Sequence, residues 1–242
     1  MEQPGRGERI LRVAGELLVA WGYRRVTIDE IARHAGVGKG TVYLHWKTKD
    51  ALLLAVLLDS KNAALAGQLA RQRKCPLEVL PSRMARGYFQ DFLTSPVLRA
   101  LHTDDTNILG RLNDIAATEL SDLMDRTNRA VLRHLEILRG HGLVREDLAT
   151  TDQMYTYTAV ISGFFTTEVL LDNRIPEPAE NRADLLARTL RAALETPAGS
   201  VTDPGDLPGV RAAATLAAPA VIALYEHIAR LSAEEMRRQL RD

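Results

Sequence analysis

The sequence predicts an all-α protein, with a small N-terminal three-helix unit ending in a helix-turn-helix and a larger helical region after it. Apolar residues recur at helical spacing through most of the 242 residues, and no stretch alternates convincingly at the strand period. Glycine and proline punctuate the ends of those periodic runs. Thr27 to Leu53 compresses a capped helix, a glycine turn, a second short helix and a basic loop into one short segment.

In the first helix, Ile10, Val13, Ala14, Leu17, Leu18 and Trp21 form a single stripe that requires a partner surface, and Gly22 ends it. Thr27 then stands as an N-cap with Glu30 three residues on, which predicts a reciprocal capping box, while Val26 and Ile31 are spaced as a hydrophobic staple. Ile28, Ile31, Ala32 and Ala35 share one face of this second helix, and Gly36 can take the left-handed conformation that closes its C-terminus.

A third helix over Lys39–Trp46 is too short to be stable alone and must dock through Val42 and Trp46. Its other face, with Lys39, Gly40, Thr41, Tyr43 and Leu44, is left for a partner, as in a recognition helix entering the major groove. Gly40 loses roughly 1 kcal/mol of helix propensity against alanine, which points to close backbone approach at that position.

Charge supports a nucleic-acid partner locally, although 31 basic and 31 acidic residues cancel over the chain. Between Arg24 and Lys49, six basic residues (Arg24, Arg25, Arg33, Lys39, Lys47, Lys49) face only Asp29 and Glu30, and His34 and His45 lie among them. Three of the five lysines in the protein flank the expected recognition helix. Arg6 and Arg9 are candidates for a minor-groove arm, with a plain tail as the alternative.

These residues resemble the DNA-binding domain of the TetR family of bacterial transcriptional regulators. The shared pattern is Thr27, Ile31-Ala32, Ala35-Gly36-Val37, Lys39-Gly40-Thr41, Tyr43, Trp46 and Lys49, covering roughly the first fifty-five residues. Two positions depart from it, with Gly38 where serine is frequent and Trp46 in place of phenylalanine. The resemblance implies a DNA-binding domain over 1–50 and a ligand-binding and dimerisation domain over 51–242. It implies DNA contact by Thr27, Gly38, Lys39, Gly40, Thr41, Tyr43, His45 and Lys49, with Val42 and Trp46 in the core.

Beyond residue 50, helices are expected at about 50–73, 77–94, 97–103, 106–139, 151–172, 180–195 and 208–240, the fourth of them interrupted near Ala116 to Thr118. Loops are expected at Cys75-Pro76, Ser95-Pro96, Gly140 to Gly142, Ile175 to Ala179 and Thr196 to Gly209. The run at residues 51–58 is apolar on nearly every side and must be covered from two directions. From Gln153 through Thr167 the chain carries no charge, so that helix is expected to pack all round, one face against the same helix of a second subunit and another against the interior. A two-fold pair of such units would read half-sites about one DNA turn (~34 Å) apart.

Family resemblance further implies a ligand cavity, for which Tyr88, Phe89, Phe92, Met124, Asn128, Tyr155, Thr158, Ser162, Phe165 and Glu168 are wall candidates, core packing being the competing reading of each. Glu168, an acid on an apolar helix, requires a partner, either a cationic ligand or an arginine such as Arg188. The sequence thus leads to a homodimeric regulator of a palindromic double-stranded operator, most simply a repressor released by a small-molecule effector. An activator of the same fold and a helical small-molecule binder without DNA binding are the alternatives.

Catalysis has little to rest on. His102, Asp104 and Asp105 are residue types that hold metals or move protons, but they sit at an expected helix end, and the chain has no GxSxG turn, phosphate-binding glycine loop or zinc signature. The single cysteine, Cys75, excludes an internal disulfide. No enzyme activity and no cofactor are expected. The N-terminal MEQPGRGER lacks a signal-peptide core, and the longest uncharged apolar run, Ala212 to Tyr225, is interrupted by Pro219, so a soluble, cytoplasmic protein without membrane partners is expected.

Overall fold

The computed structural model describes residues 5–103, 105–171, 178–196 and 208–240. Among them are eleven α-helices: α1 (Arg6–Arg25), α2 (Ile28–His34), α3 (Lys39–His45), α4 (Lys49–Lys74), α5 (Pro81–Thr94), α6 (Pro96–His102), α7 (Leu112–Glu119), α8 (Ser121–Gly140), α9 (Thr150–Leu170), α10 (Ala179–Leu194) and α11 (Pro208–Gln239). The protein is all-α, as its periodicity predicts; the described residues contain one isolated bridge, Val144 with Glu195, and no strand. The loops expected at 175–179 and 196–209 fall largely outside the described residues.

The chain forms two compact units. The first takes described residues from 1–63, 95–123 and 230–242. Its core is the buried α1 stripe, Ile10, Val13, Ala14, Leu17 and Leu18, packed with Ile31, Val42, Trp46 and Leu52 to Leu58. Leu52 to Leu58 are all buried, in one core with residues of α1–α3 and with Val97, Ala100, Leu109, Leu112 and Ala116.

Gly22 ends the α1 stripe in the left-handed region, with φ 75°, so α1 reaches Arg25 only across a kink. A side chain there is excluded, because a Cβ would fall 2.3 Å from the Asn107 carbonyl oxygen. Beside this contact the Tyr23 amide donates to the Ile108 carbonyl at 2.7 Å. The helix expected from residue 106 is replaced by turns over 105–111. Asp105 Oδ1 accepts from the amides of Asn107 and Ile108 at 2.9 and 3.3 Å, and Gly110 takes φ 53°, a local arrangement that competes with helix. The anticipated interruption falls at Leu120, between α7 and α8.

The second unit takes described residues from 64–94 and 124–229. The expected helix over 77–94 divides into a 3-10 turn at Pro76–Val79 and α5, because Leu80 precedes a proline and is held extended. One core cluster joins Leu77, Val79, Leu138 and Val144 to Ala214, Ala217, Val221 and Tyr225 of α11. Within it His134 is fully buried, Nε2 donating to the Val79 carbonyl at 2.8 Å, which leaves Nδ1 to accept from the Tyr225 hydroxyl at 3.0 Å. Burial lowers the pKa of this imidazole to about 4.

A second cluster sets Phe89 and Phe92 of α5 against Phe165 of α9 and Ala183, Leu186 and Leu190 of α10. Helices α4 and α11 are long and apolar enough in composition to cross a bilayer. Leu52 to Leu58 of α4 lie in the first core and Ala214, Ala217, Ala218, Val221 and Tyr225 of α11 in the second, while Leu216 of α11 is exposed.

Candidate nucleic-acid interface

The helix-turn-helix is assembled by local chemistry. Thr27 Oγ1 accepts from the Glu30 amide at 3.2 Å, as a cap should. The reciprocal half of the expected capping box does not form, since the Glu30 carboxylate is taken by the Arg33 guanidinium at 2.5 and 3.1 Å, one turn along the helix. Gly36, at φ 62°, closes α2 with two bonds, Val37 amide to Ala32 carbonyl at 3.0 Å and Gly36 amide to Arg33 carbonyl at 3.2 Å. This 6→1 and 5→2 pair is the Schellman closure.

Val42 and Trp46 anchor α3 in the core, at 0% and 1% exposure. Gly38, Lys39, Gly40, Tyr43 and Leu44 are exposed, while Thr41 and His45 are half-buried. Nothing lies within 4 Å of where a Gly40 side chain would begin, so the opening over its backbone is real and faces away from the chain's own atoms. Leu44, 71% exposed and one turn from Gly40, extends this surface. The sequence places Leu44 on this partner-facing side, although the contact set implied by the family resemblance does not include it.

Two expected contact residues are engaged within the chain. Lys39 Nζ donates to Asp29 at 2.8 Å, an exposed pair that ties α2 to α3 and raises the lysine pKa. Lys49 departs further from expectation. Its ammonium turns inward to the Tyr23 and Val26 carbonyls at 3.0 and 3.3 Å, 4.0 Å above the Tyr23 ring, and burial lowers its pKa. The basic surface is therefore carried by Arg24, Arg25 and Lys47, which are exposed and make no ion pair among the described residues. Arg9, expected as an arm, instead donates from Nε to the Ala35 carbonyl at 2.8 Å and braces the end of α2; Arg6 is the first residue of α1.

The ten ligand-wall candidates do not converge. Phe92 and Phe165 stack at 4.2 Å between ring centroids with planes 6° apart, Phe89 lies parallel to both, and Tyr88 stands 6.0 Å from Phe165. These are packed core. Met124, Asn128, Tyr155, Thr158 and Ser162 are exposed. Glu168 is buried against Arg182 rather than Arg188, through bonds of 2.8 and 3.2 Å to its two oxygens. None of the ten lines the cleft of about 810 Å³ at the α5–α10 face of this unit.

The described members of the group weighed for catalysis have other surroundings. His102 has its pKa lowered to about 4 by burial and by Lys61, Asp105 caps the turn after α6, and Asp104 lies outside the described residues. Among the described residues no three His, Cys, Asp or Glu side chains are grouped to hold a metal.

A capped helix, a Schellman turn and a short docked helix with an open outer face define a helix-turn-helix DNA-binding domain, here joined to a second all-helical unit. Residues 10–56 match the family described as bacterial regulatory proteins, tetR family. YerO of Bacillus subtilis, an uncharacterised HTH-type transcriptional regulator, is 36% identical over 91 residues, 35% of this chain and 30% of its own length.

Among solved structures, the fatty acid degradation regulator FadR of Bacillus halodurans superposes with a TM-score of 0.63 at 14% identity, covering 78% of this chain and 96% of that one. FadR of Bacillus subtilis, solved with stearoyl-CoA, gives 0.60 at 16% identity, covering 75% and 96%. The family match falls on the helix-turn-helix unit, residues 10–56. The chain's alignments with the first curated relatives span about three tenths of their length, 27–31%.

Proposed function

We propose that the protein is a ligand-responsive transcriptional regulator that binds a palindromic operator as a homodimer, represses from it, and leaves it when a small-molecule effector occupies the second unit. The observation that carries this reading is the outer face of α3 and its N-cap, where Gly38, Lys39, Gly40 and Tyr43 are exposed and Thr41 and His45 half-exposed, beside the exposed Arg24, Arg25 and Lys47. Thr27, exposed at the N-cap of α2, sits where a phosphate would approach the helix terminus.

Pairing of two copies is supported by α9. In the single chain only Gln153, Phe165 and Glu168 of that helix are buried, while Tyr155 (77% exposed), Val169 and Leu170 face outward with the small Ala159, Ser162, Gly163 and Thr166. An uncharged, open helix face of this length is accounted for by a second copy. Coupling is supported by connectivity, because α4 begins in the first unit and ends in the second, and an effector that prefers one spacing of two recognition helices would shift DNA affinity. Such a regulator works in the cytoplasm, on the chromosome.

The test is selection of bound fragments from the host's genomic DNA by the full-length chain, alongside its mass in solution. A dimer retaining a discrete set of inverted repeats at moderate salt is the expected result. A monomer with no preference over random competitor would overturn the reading.

A further inference from the structure

The cleft of about 810 Å³ in the second unit has a lining unlike an ordinary small-molecule pocket, which is mostly apolar. Six cations line it, Arg71, Lys74, Arg83, Arg86, Arg188 and Arg191, against the acids Glu78 and Asp184. They arrive as three i, i+3 pairs from three helices, Arg71 with Lys74 on α4, Arg83 with Arg86 on α5, and Arg188 with Arg191 on α10. That spacing puts both members of each pair on one helix face.

Four of the arginines are steadied from one side by a carboxylate: Arg71 by Asp91 at 3.0 Å, Arg83 by Glu78 at 3.6 Å, Arg86 by Asp184 at 2.6 Å and Arg191 by Glu195 at 3.9 Å. A guanidinium has five donors in a fixed fork, so one carboxylate orients it without exhausting it. Lys74 and Arg188 make no hydrogen bond or ion pair among the described residues. The Arg71 guanidinium is seated by a missing side chain, since a Cβ on Gly87 would stand 2.6 Å from its Nε.

We propose that this cleft binds a compact polyanion carrying two or more phosphoryl or carboxylate groups, with Lys74 and Arg188 supplying the uncommitted charge. Like charges gathered in a concave site raise the local concentration of a counter-ion, and planar guanidinium groups fit phosphate and carboxylate edges bidentately. Gly87, Ala187 and Cys75 are the only lining residues without a strongly polar side chain, so the groups that orient a ligand here are the charged heads, with their methylene stems as the apolar wall. That occupancy alters DNA affinity rests on the regulatory reading above; that the anion binds does not.

The experiment is isothermal titration of the full chain with inorganic pyrophosphate and, separately, with citrate. Binding of either, weakening with salt, is expected, and the two arms separate phosphoryl from carboxylate ligands. Lys74→Gln/Arg188→Gln should weaken it at least ~10-fold with an unchanged thermal midpoint. Gly87→Ala, which removes no charge but displaces Arg71, should weaken it as well. Failure to bind either probe, or binding indifferent to the double variant, overturns the proposal. So does an equal loss of non-specific duplex binding in that variant, which would make the cleft a DNA contact. Absence of a preferred genomic site would leave anion binding standing and remove only its regulatory consequence.

Discussion

Lys49 and Tyr23 are locked together, the ammonium 4.0 Å over the phenol ring and bonded at 3.0 Å to the carbonyl of the same residue, while the Tyr23 hydroxyl donates to Asp50 at 2.6 Å. The start of α4 is thereby tied to the end of α1, where helix carbonyls would otherwise lack partners. Lys49→Met should destabilise the protein by about 1–3 kcal/mol in urea denaturation. The same variant should leave the salt dependence of DNA binding unchanged; a log-log slope reduced by about 1 per subunit would show that the third ammonium hydrogen reaches a phosphate after all.

Glu168 and Arg182 form a buried bidentate pair, their side chains 5% and 9% exposed. Removing one partner strands the other in the core, so Arg182→Met should lower stability by about 3–5 kcal/mol, whereas Glu168→Leu combined with Arg182→Met should recover most of that loss. If the double variant were as unstable as the single one in a urea titration, the pair would not be acting as a unit.

His134 sets a pH limit on the second unit. Its pKa lies near 4 in the folded chain and near 6.5 when released, so between those values the unfolded chain takes up a proton that the folded one refuses. Stability should therefore fall as pH drops from about 6.5 towards 4, by at most about 3–4 kcal/mol from this residue. His102 contributes in the same direction, so the quantity to measure is the difference from His134→Gln. That variant should be less stable at pH 7 through lost hydrogen bonds but show a shallower acid slope; identical slopes would remove His134 as the cause.

The parts of this molecule legible in its sequence are those set by neighbours along the chain. Thr27, Gly36 and the Val42–Trp46 anchor each act within a turn or two, and each stands where local reading puts it. Glu168 shows the limit: its need for a cation is evident from the apolar helix around it, but choosing Arg182 over Arg188 depends on how α10 packs on α9. For Lys49 the family resemblance implies an outward contact, whereas its inward turn rests on the Tyr23 and Val26 carbonyls, more than twenty residues away in the chain. The arginine cleft was written as three short-range pairs whose convergence no local pattern reveals.

Gly40 separates what α3 needs for itself from what it needs for DNA. Nothing in the protein occupies the space beyond its Cα, so Gly40→Ala should be accommodated and, by favouring helix, should stabilise the free protein by about 0.5–1 kcal/mol. A methyl group on the exposed face between Lys39 and Thr41 would hold the backbone away from a phosphate or base edge, so the same change should weaken operator binding at least ~10-fold, in line with one lost charge-assisted contact. Thermal denaturation and fluorescence anisotropy on a selected operator fragment measure the two effects in one preparation. Gain in stability with full retention of affinity would show that the α3 backbone does not approach the duplex at this point, and would shift the contact surface toward Tyr43 and Leu44.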